Sequence, residues 1–189
     1  MTKNLSEMTL EELWQLFPIF LTKNDKTWKK QYKNEEKFLQ NILPKTKIKR
    51  IIHIGSTYLT TIYAKPIIDI LVETYRNANL KEIKNILVKN GYICMNEEQK
   101  RLSFNKGYTP KGFANEVYHL HLRLENDNDE LYFRDYLIDF PNIAKKYERL
   151  KLRLAKKYKY NRDAYTNAKT KFVKKYTNKA RHKYTNKYN

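Results

Sequence analysis

Cysteine, glycine and proline are all scarce in these 189 residues, at one, four and five. A lone thiol, Cys94, closes no internal disulfide and supplies no cysteine-rich zinc module. So little Gly and Pro excludes a collagenous or low-complexity chain. No run approaches the ~18 apolar residues of a membrane span, and Ile48 to Ile54 is interrupted by Lys49, Arg50 and His53. Met1 to Glu7 is polar and leads into a mixed helix, so it does not read as a secretory signal. Acidic residues are also in short supply: 20 Asp plus Glu face 39 Lys plus Arg, a formal charge of +19. The expectation is a cytoplasmic protein with no membrane partner.

What is present argues for a folded globule. Hydrophobic residues make up 41% and aromatics 14%, with 16 tyrosines among them. That is enough for one domain with its own core. The positive charge has two sources to weigh. It fits a polyanionic partner such as a nucleotide or RNA. Lys, Asn, Ile and Tyr also share A/T-rich codons, so composition alone supplies part of it. The excess is concentrated late: Lys145 to Lys187 carries 17 basic residues against Glu148 and Asp163.

Periodicity divides the chain into alternating elements. Thr9 with Glu12 is a capping box for a helix whose stripe is Leu10, Leu13, Trp14 and Phe17, stopped by Pro18. A second helix is predicted from about Asp25 to Leu43, burying Trp28, Tyr32, Phe38, Leu39, Ile42 and Leu43. Ile48 to Ile54 reads as a strand, Gly55-Ser56-Thr57 as a turn into a helix start, and Ile67 to Glu73 as a second strand. Leu80 to Lys89 is an amphipathic helix with Gly91 beyond its end. Tyr92 to Met95 and Val117 to Leu124 read as further strands. Helices follow at Asp129 to Ile138, Pro141 to about Tyr158, and Arg162 to about Tyr176. The expected organisation is a single domain over residues 1–176 and a basic, mobile tail over 177–189.

The chemistry gathers at a strand end and the strand after it. Gly55 and Ser56 place bare N–H groups and a hydroxyl where a phosphate can sit, with Thr57 beside them. Asp69 lies in an apolar strand, where an unpaired carboxylate is costly and a magnesium ion bridging to a triphosphate would relieve it. Two-metal nucleotidyl transfer asks for carboxylates at i and i+2, which share one strand face. Position i+2 here is Leu71, and Glu73 at i+4 is roughly 13 Å away on an extended strand. His119 and His121 alternate with leucines and share one face; they are candidates for a general base beside Asp69, with His53 nearby if the strands are neighbours. Arg162, Tyr165 and Lys169 fall on one helical face able to close over an anion, and Lys65 and Arg134 are further cationic candidates.

The blocks that carry these residues also carry a resemblance. His53-Ile54-Gly55-Ser56-Thr57 and Ala64-Lys65-Pro66-Ile67-Ile68-Asp69-Ile70 are followed in order by Phe104-Asn105-Lys106-Gly107-Tyr108 and Tyr118-His119-Leu120-His121-Leu122-Arg123. Phe133-Arg134-Asp135-Tyr136-Leu137, Tyr147-Glu148, Leu150-Lys151, Asn161-Arg162-Asp163-Ala164-Tyr165 and Ala168-Lys169-Thr170 complete the series. Across about residues 25 to 176 the chain resembles the GrpB family, assigned to the nucleotidyltransferase superfamily. It departs from the family pattern at Thr60-Thr61 and Lys26. The resemblance implies an α/β (α+β) fold: a nucleotidyltransferase-like mixed β-sheet flanked by helices, with a helical C-terminal part. It places Gly55-Ser56 and Asp69 at one edge of a nucleotide-sized cleft.

Three readings of function stand together. The first is Mg-dependent transfer of a nucleoside monophosphate from a nucleoside triphosphate to an acceptor, with Asp69 holding the metal and His119 or His121 acting on the nucleophile. The second is a degenerate relative that binds a nucleotide or other phosphorylated ligand, supported by Leu71. The third is RNA binding through the basic C-terminal helices.

Overall fold

A computed structural model of the chain describes residues 3–188; Met1, Thr2 and Asn189, the last residue of the expected tail, lie outside them. Helices α1 (Leu10–Leu16) and α2 (Thr27–Ile42) precede strands β1 (Ile48–Ile54) and β2 (Ile68–Thr74). Helix α3 (Leu80–Lys89) leads to β3 (Ile93–Glu97), β4 (Arg101–Thr109) and β5 (Gly112–Leu124). The chain then turns helical through α4 (Asp129–Asp139), α5 (Pro141–Lys157) and α6 (Arg162–Lys183). The predicted capping box forms: Thr9 Oγ1 accepts from the Glu12 N–H at 3.2 Å, and Glu12 Oε2 accepts from the Thr9 N–H at 2.8 Å. Asn79 caps α3 through its side chain alone, accepting from the Lys81 and Glu82 N–H groups.

The five strands form one mixed sheet in the order β1-β2-β5-β4-β3, parallel only between β2 and β5. Period-two alternation gives the sheet two faces. Ile68, Ile70, Val72, Phe104, Leu120 and Leu122 point to the face covered by Trp28, Tyr32 and Leu39 of α2 and Ile83 and Leu87 of α3. This is the main core, and its centre is dry: Ile70, Val72, Phe104, Leu120 and Leu122 are fully buried. Leu71 faces the other way and packs with Ile54 and Leu131 under the C-terminal helices. The α/β sheet flanked by helices, read from the sequence, is the observed architecture.

Three local expectations differ from the structure. No helix follows Gly55-Ser56-Thr57; residues 55–67 form an irregular loop. Thr57, Thr60, Thr61 and Ile62 are β-branched, and helix α5 satisfies the loop's backbone instead. Glu148 accepts from the Tyr63 N–H at 2.7 Å, Lys145 donates to Thr61 O at 2.6 Å, and Lys151 donates to Tyr63 O. Strand β4 and the first half of β5 were not anticipated. Asn105, Lys106 and Gly107 break the alternation of β4, and Ala114, Asn115 and Glu116 are exposed, so neither stretch shows a periodic apolar face.

The third difference concerns the C-terminus. The helix expected to end near Tyr176 continues to Lys183, and the domain boundary placed there has no counterpart in the packing. Thr177 and Ala180 are buried, and Tyr184 and Tyr188 pack against the α4–α6 cluster. Tyr176, Ala180 and Tyr184 continue the stripe at i, i+4 and i+8, with an alanine too small to register as a hydrophobic peak. Arg181 pairs with Asp129, Lys187 with Asp135, and the Tyr188 hydroxyl donates to Asp135.

Candidate functional site

Register alone brings the expected residues together. Asp69 is paired with Ile54 on β1 and with His119 on β5, and His119 is paired with Asn105 on β4. His121 follows on the same face of β5. The carboxylate of Asp69 therefore meets both imidazoles, His119 Nδ1 at 3.3 Å and His121 Nε2 at 3.7 Å, each measured to Oδ1. His53 is not part of this group. It is paired with Ile70, on the opposite face, where it stacks on Tyr32 at 4.7 Å and shares a 3.0 Å hydrogen bond with Thr57 Oγ1.

The partners of the two imidazoles fix their tautomers. Arg162 Nη2 lies 2.9 Å from His119 Nε2, and a guanidinium can only donate. Nε2 is thus the acceptor and Nδ1 carries the proton directed at Asp69. The Tyr108 hydroxyl reaches the same Nε2 at 2.8 Å. In the same way Arg123 Nη2, 3.2 Å from His121 Nδ1, leaves the His121 proton on Nε2, facing Asp69. Burial, opposed by Asp69, pushes His119 down to about 4, so it is neutral at physiological pH. Burial works to raise the Asp69 carboxyl, but the two imidazoles outweigh it and hold the group well below the usual carboxylate range.

Cations gather around this ionised centre. The ammoniums of Lys65 and Lys169 stand 5.6 Å and 4.2 Å from the centroid of the Tyr165 ring, within cation–π reach of it. Lys151, from α5, donates to Ser56 Oγ at 2.8 Å and is almost fully buried. Burial, reinforced by Lys169 and Arg162, lowers Lys65 to about 7. Burial and Lys169 lower Lys151 to about 7, and burial, opposed by Asp69, lowers Lys169 to about 8. Mutually repelling, partly desolvated ammoniums are held in this state by the fold, and an arriving anion would relieve them.

The expected site residues are thus distributed unevenly. Asp69, His119, His121, Ser56, Lys65, Arg162 and Lys169 converge. Tyr165 is there too, but fully buried, its hydroxyl without a hydrogen-bond partner. Gly55 touches Asp69: with φ +72°, any Cβ would sit 2.2 Å from Asp69 Oδ2. Thr57 turns inward and donates to Ile67 O. Arg134 is engaged elsewhere, pairing with Asp135 at 2.7 Å and donating to His53 O at 2.9 Å.

Two members of the site had escaped the sequence reading. Lys151 sits inside the apolar stripe of α5, four residues after Tyr147 and three before Leu154, and a cation in such a stripe is the signal. Tyr108 comes within reach through a bulge between Lys106 and Tyr108. Lys106 points to the core face, over the rings of Phe38, Tyr92 and Tyr118. Strict alternation would send Tyr108 the same way; Gly107, at φ +88°, reverses it.

The donor set offers little to the divalent ions that nucleotidyl transfer employs. Asp69 Oδ1 faces two imidazole N–H groups, Leu71 replaces a second carboxylate, and Ser56 Oγ accepts from Lys151. Glu73 is fully buried and engaged by Arg50 at 2.7 Å and the Asn126 N–H at 2.9 Å. Lys65, Arg162 and Lys169 add positive charge beside Asp69. A paired-metal centre does not fit these residues.

Comparison with known proteins agrees with this architecture. The family model described as GrpB protein matches residues 18–179. The "Glutamate-rich protein GrpB" of Alkalihalophilus pseudofirmus is 34% identical over 161 residues, covering 82% of this chain and 91% of the relative. The UPF0157 protein YqkA of Bacillus subtilis is 32% identical over 144 residues, covering 75% of this chain but 41% of that relative. A crystal structure of GrpB from Enterococcus faecalis superposes with a TM-score of 0.74 at 31% identity, over 87% of this chain and 99% of that one. A crystal structure of the Cid1 poly(U) polymerase with Mg 3′-dATP bound gives a TM-score of 0.51 at 12% identity, over 84% of this chain and 51% of the polymerase. The fold is nucleotidyltransferase-like.

Proposed function

The chain belongs to the GrpB family, and on that footing we propose that it binds the phosphate chain of a nucleoside triphosphate at the Ser56–Asp69 site. One observation carries the reading. Lys65, Lys151, Arg162 and Lys169, from a loop and two helices, converge near Asp69, with Glu148 the other carboxylate acting on Lys151. Four basic groups outnumber these two carboxylates and suit a polyanion, since phosphate oxygens accept from ammonium and guanidinium donors alike. In this reading Lys151 and Ser56 hold one phosphate, Lys65 and Lys169 flank the chain, and Arg162 is positioned by His119 and Tyr108. Asp69 sets the tautomers of both imidazoles.

Transfer of the nucleoside monophosphate is the more demanding reading. It asks for a base and a pair of metal-sharing carboxylates; His119 has Arg162 and Tyr108 on its free nitrogen, and Leu71 stands at i+2. A pair of carboxylates to share magnesium ions is therefore not supplied by this strand. The RNA reading rests on the basic C-terminal helices, and part of the C-terminal charge is used within the domain by Arg181 of α6 and Lys187 beyond it. We therefore favour ligand binding over both.

The test is isothermal titration of ATP, GTP, CTP and UTP into the wild-type protein and Lys169→Met. At least one triphosphate should bind the wild type, and the substitution should weaken it about tenfold or more, the worth of one charge-assisted contact. Thermal unfolding of Lys169→Met should be unchanged or improved, because a repelling charge has gone from beside Lys65 and Lys151. No heat with any of the four nucleotides, or equal affinity in the variant, would overturn the reading.

A further inference from the structure

Resting on that reading, we infer that the polyphosphate binds as its metal-free anion, with lysines doing the neutralising that a divalent ion does elsewhere. Magnesium demands oxygen ligands at ~2.0–2.1 Å in near-octahedral array, with one or two carboxylates beside the phosphates. Around Asp69 the oxygens are few, and Oδ1 is already engaged. Oδ1 faces His119 and His121, whose protons, not lone pairs, point inward. Oδ2 lies so close to Gly55 that no Cβ fits between them. Ser56 Oγ accepts from Lys151.

The neighbours make the same point with charge. Lys65 and Lys169 share the Tyr165 ring, and each acts on the other electrostatically. Lys151 acts with Lys169 in the same way. A divalent cation arriving with the ligand would enter among these ammoniums and be repelled by all of them. It would also cancel ligand charge that the lysines are placed to meet. Glu148, the other carboxylate acting on Lys151, is paired with Lys145 at 2.9 Å and holds the Tyr63 N–H. It is engaged with the loop and is not a spare ligand for an ion.

The experiment titrates ATP and inorganic tripolyphosphate into the full-length protein, once in EDTA and once in excess MgCl₂. Binding should be tighter in EDTA, and magnesium should weaken it about tenfold, since it removes two ligand charges from a cationic site. Binding that requires magnesium, or is strengthened by it, would overturn the inference while leaving the phosphate site standing. Failure of both ligands to bind under both conditions would remove the site itself. Equal affinity in the two conditions would also count against the inference, because it would mean the lysines do not sense the ligand's full charge.

Discussion

Gly55 and Asp69 touch across the β1–β2 pair so closely that a Cβ on Gly55 would stand 2.2 Å from Oδ2 and 2.8 Å from Cγ of the aspartate. The glycine is left-handed, with φ +72°, and so supplies both the turn out of β1 and the room for the carboxylate. Gly91 offers a control: φ is +87°, but nothing lies within 4 Å of its missing Cβ. Gly91→Ala should lose only the backbone term of about 1–2 kcal/mol. Gly55→Ala should lose more and should also displace Asp69 from His119 and His121. Urea unfolding measures the first difference, and triphosphate titration should show weakened binding for Gly55→Ala alone. Equal losses in the two variants would mean that Asp69 moves aside freely.

The lysines make stability depend on pH in an unusual direction. Lys65 and Lys151 titrate at about 7 and Lys169 at about 8 in the fold. Unfolded, all three retain their protons to about pH 10.4. Between pH 7 and about 10 the unfolded chain therefore binds more protons than the folded one, and stability rises with pH. The rise should end where unfolded tyrosines begin to ionise near pH 10, since burial keeps Tyr32, Tyr92 and Tyr147 protonated in the fold. The melting temperature should thus climb from pH 7 to about pH 9.5. Saturating tripolyphosphate should flatten the climb by restoring the protons. A profile already flat without ligand would mean that the ammoniums keep their ordinary values.

Much of this arrangement could be read from local pattern. Asp69, His119 and His121 are recognisable because polar groups interrupt apolar strands at a period of two, and alternation then assigns them faces. Arg162, Tyr165 and Lys169 are recognisable because a helix places i, i+3 and i+7 together. His53 shows the limit of this reasoning: strand neighbours are not face neighbours, and its pairing with Ile70 puts it behind the sheet. The loop after Gly55 is stabilised by Lys145, Glu148 and Lys151, more than eighty residues away in sequence, which no local propensity encodes. Thr177 and Ala180 pack through small side chains that carry little hydropathy, so the true end of α6 was hidden.

Gly107 provides the sharpest mechanical test, because the bulge it forms is what turns Tyr108 toward His119. A Cβ there would meet the Glu116 carbonyl oxygen at 2.2 Å and Val117 Cα at 3.1 Å, both backbone atoms of the adjacent strand. Gly107→Ala cannot relieve that contact by rotating a side chain, so β4 and β5 must separate locally. We expect a loss above the ~1–2 kcal/mol of left-handed strain alone, together with loss of the Tyr108–His119 hydrogen bond. Tyr108→Phe isolates the second effect. It keeps the bulge and the ring packed on Phe17 and Phe113 but removes the hydroxyl, which should lower stability by about 0.5–1.5 kcal/mol. Arg162 remains on His119 Nε2 in that variant, so the imidazole nitrogen shifts in NMR should still report a neutral ring protonated on Nδ1. In Gly107→Ala they should instead change, since the strand that carries His119 is itself displaced. Unchanged histidine shifts in Gly107→Ala would show that Arg162 and Asp69 hold the ring without help from the bulge.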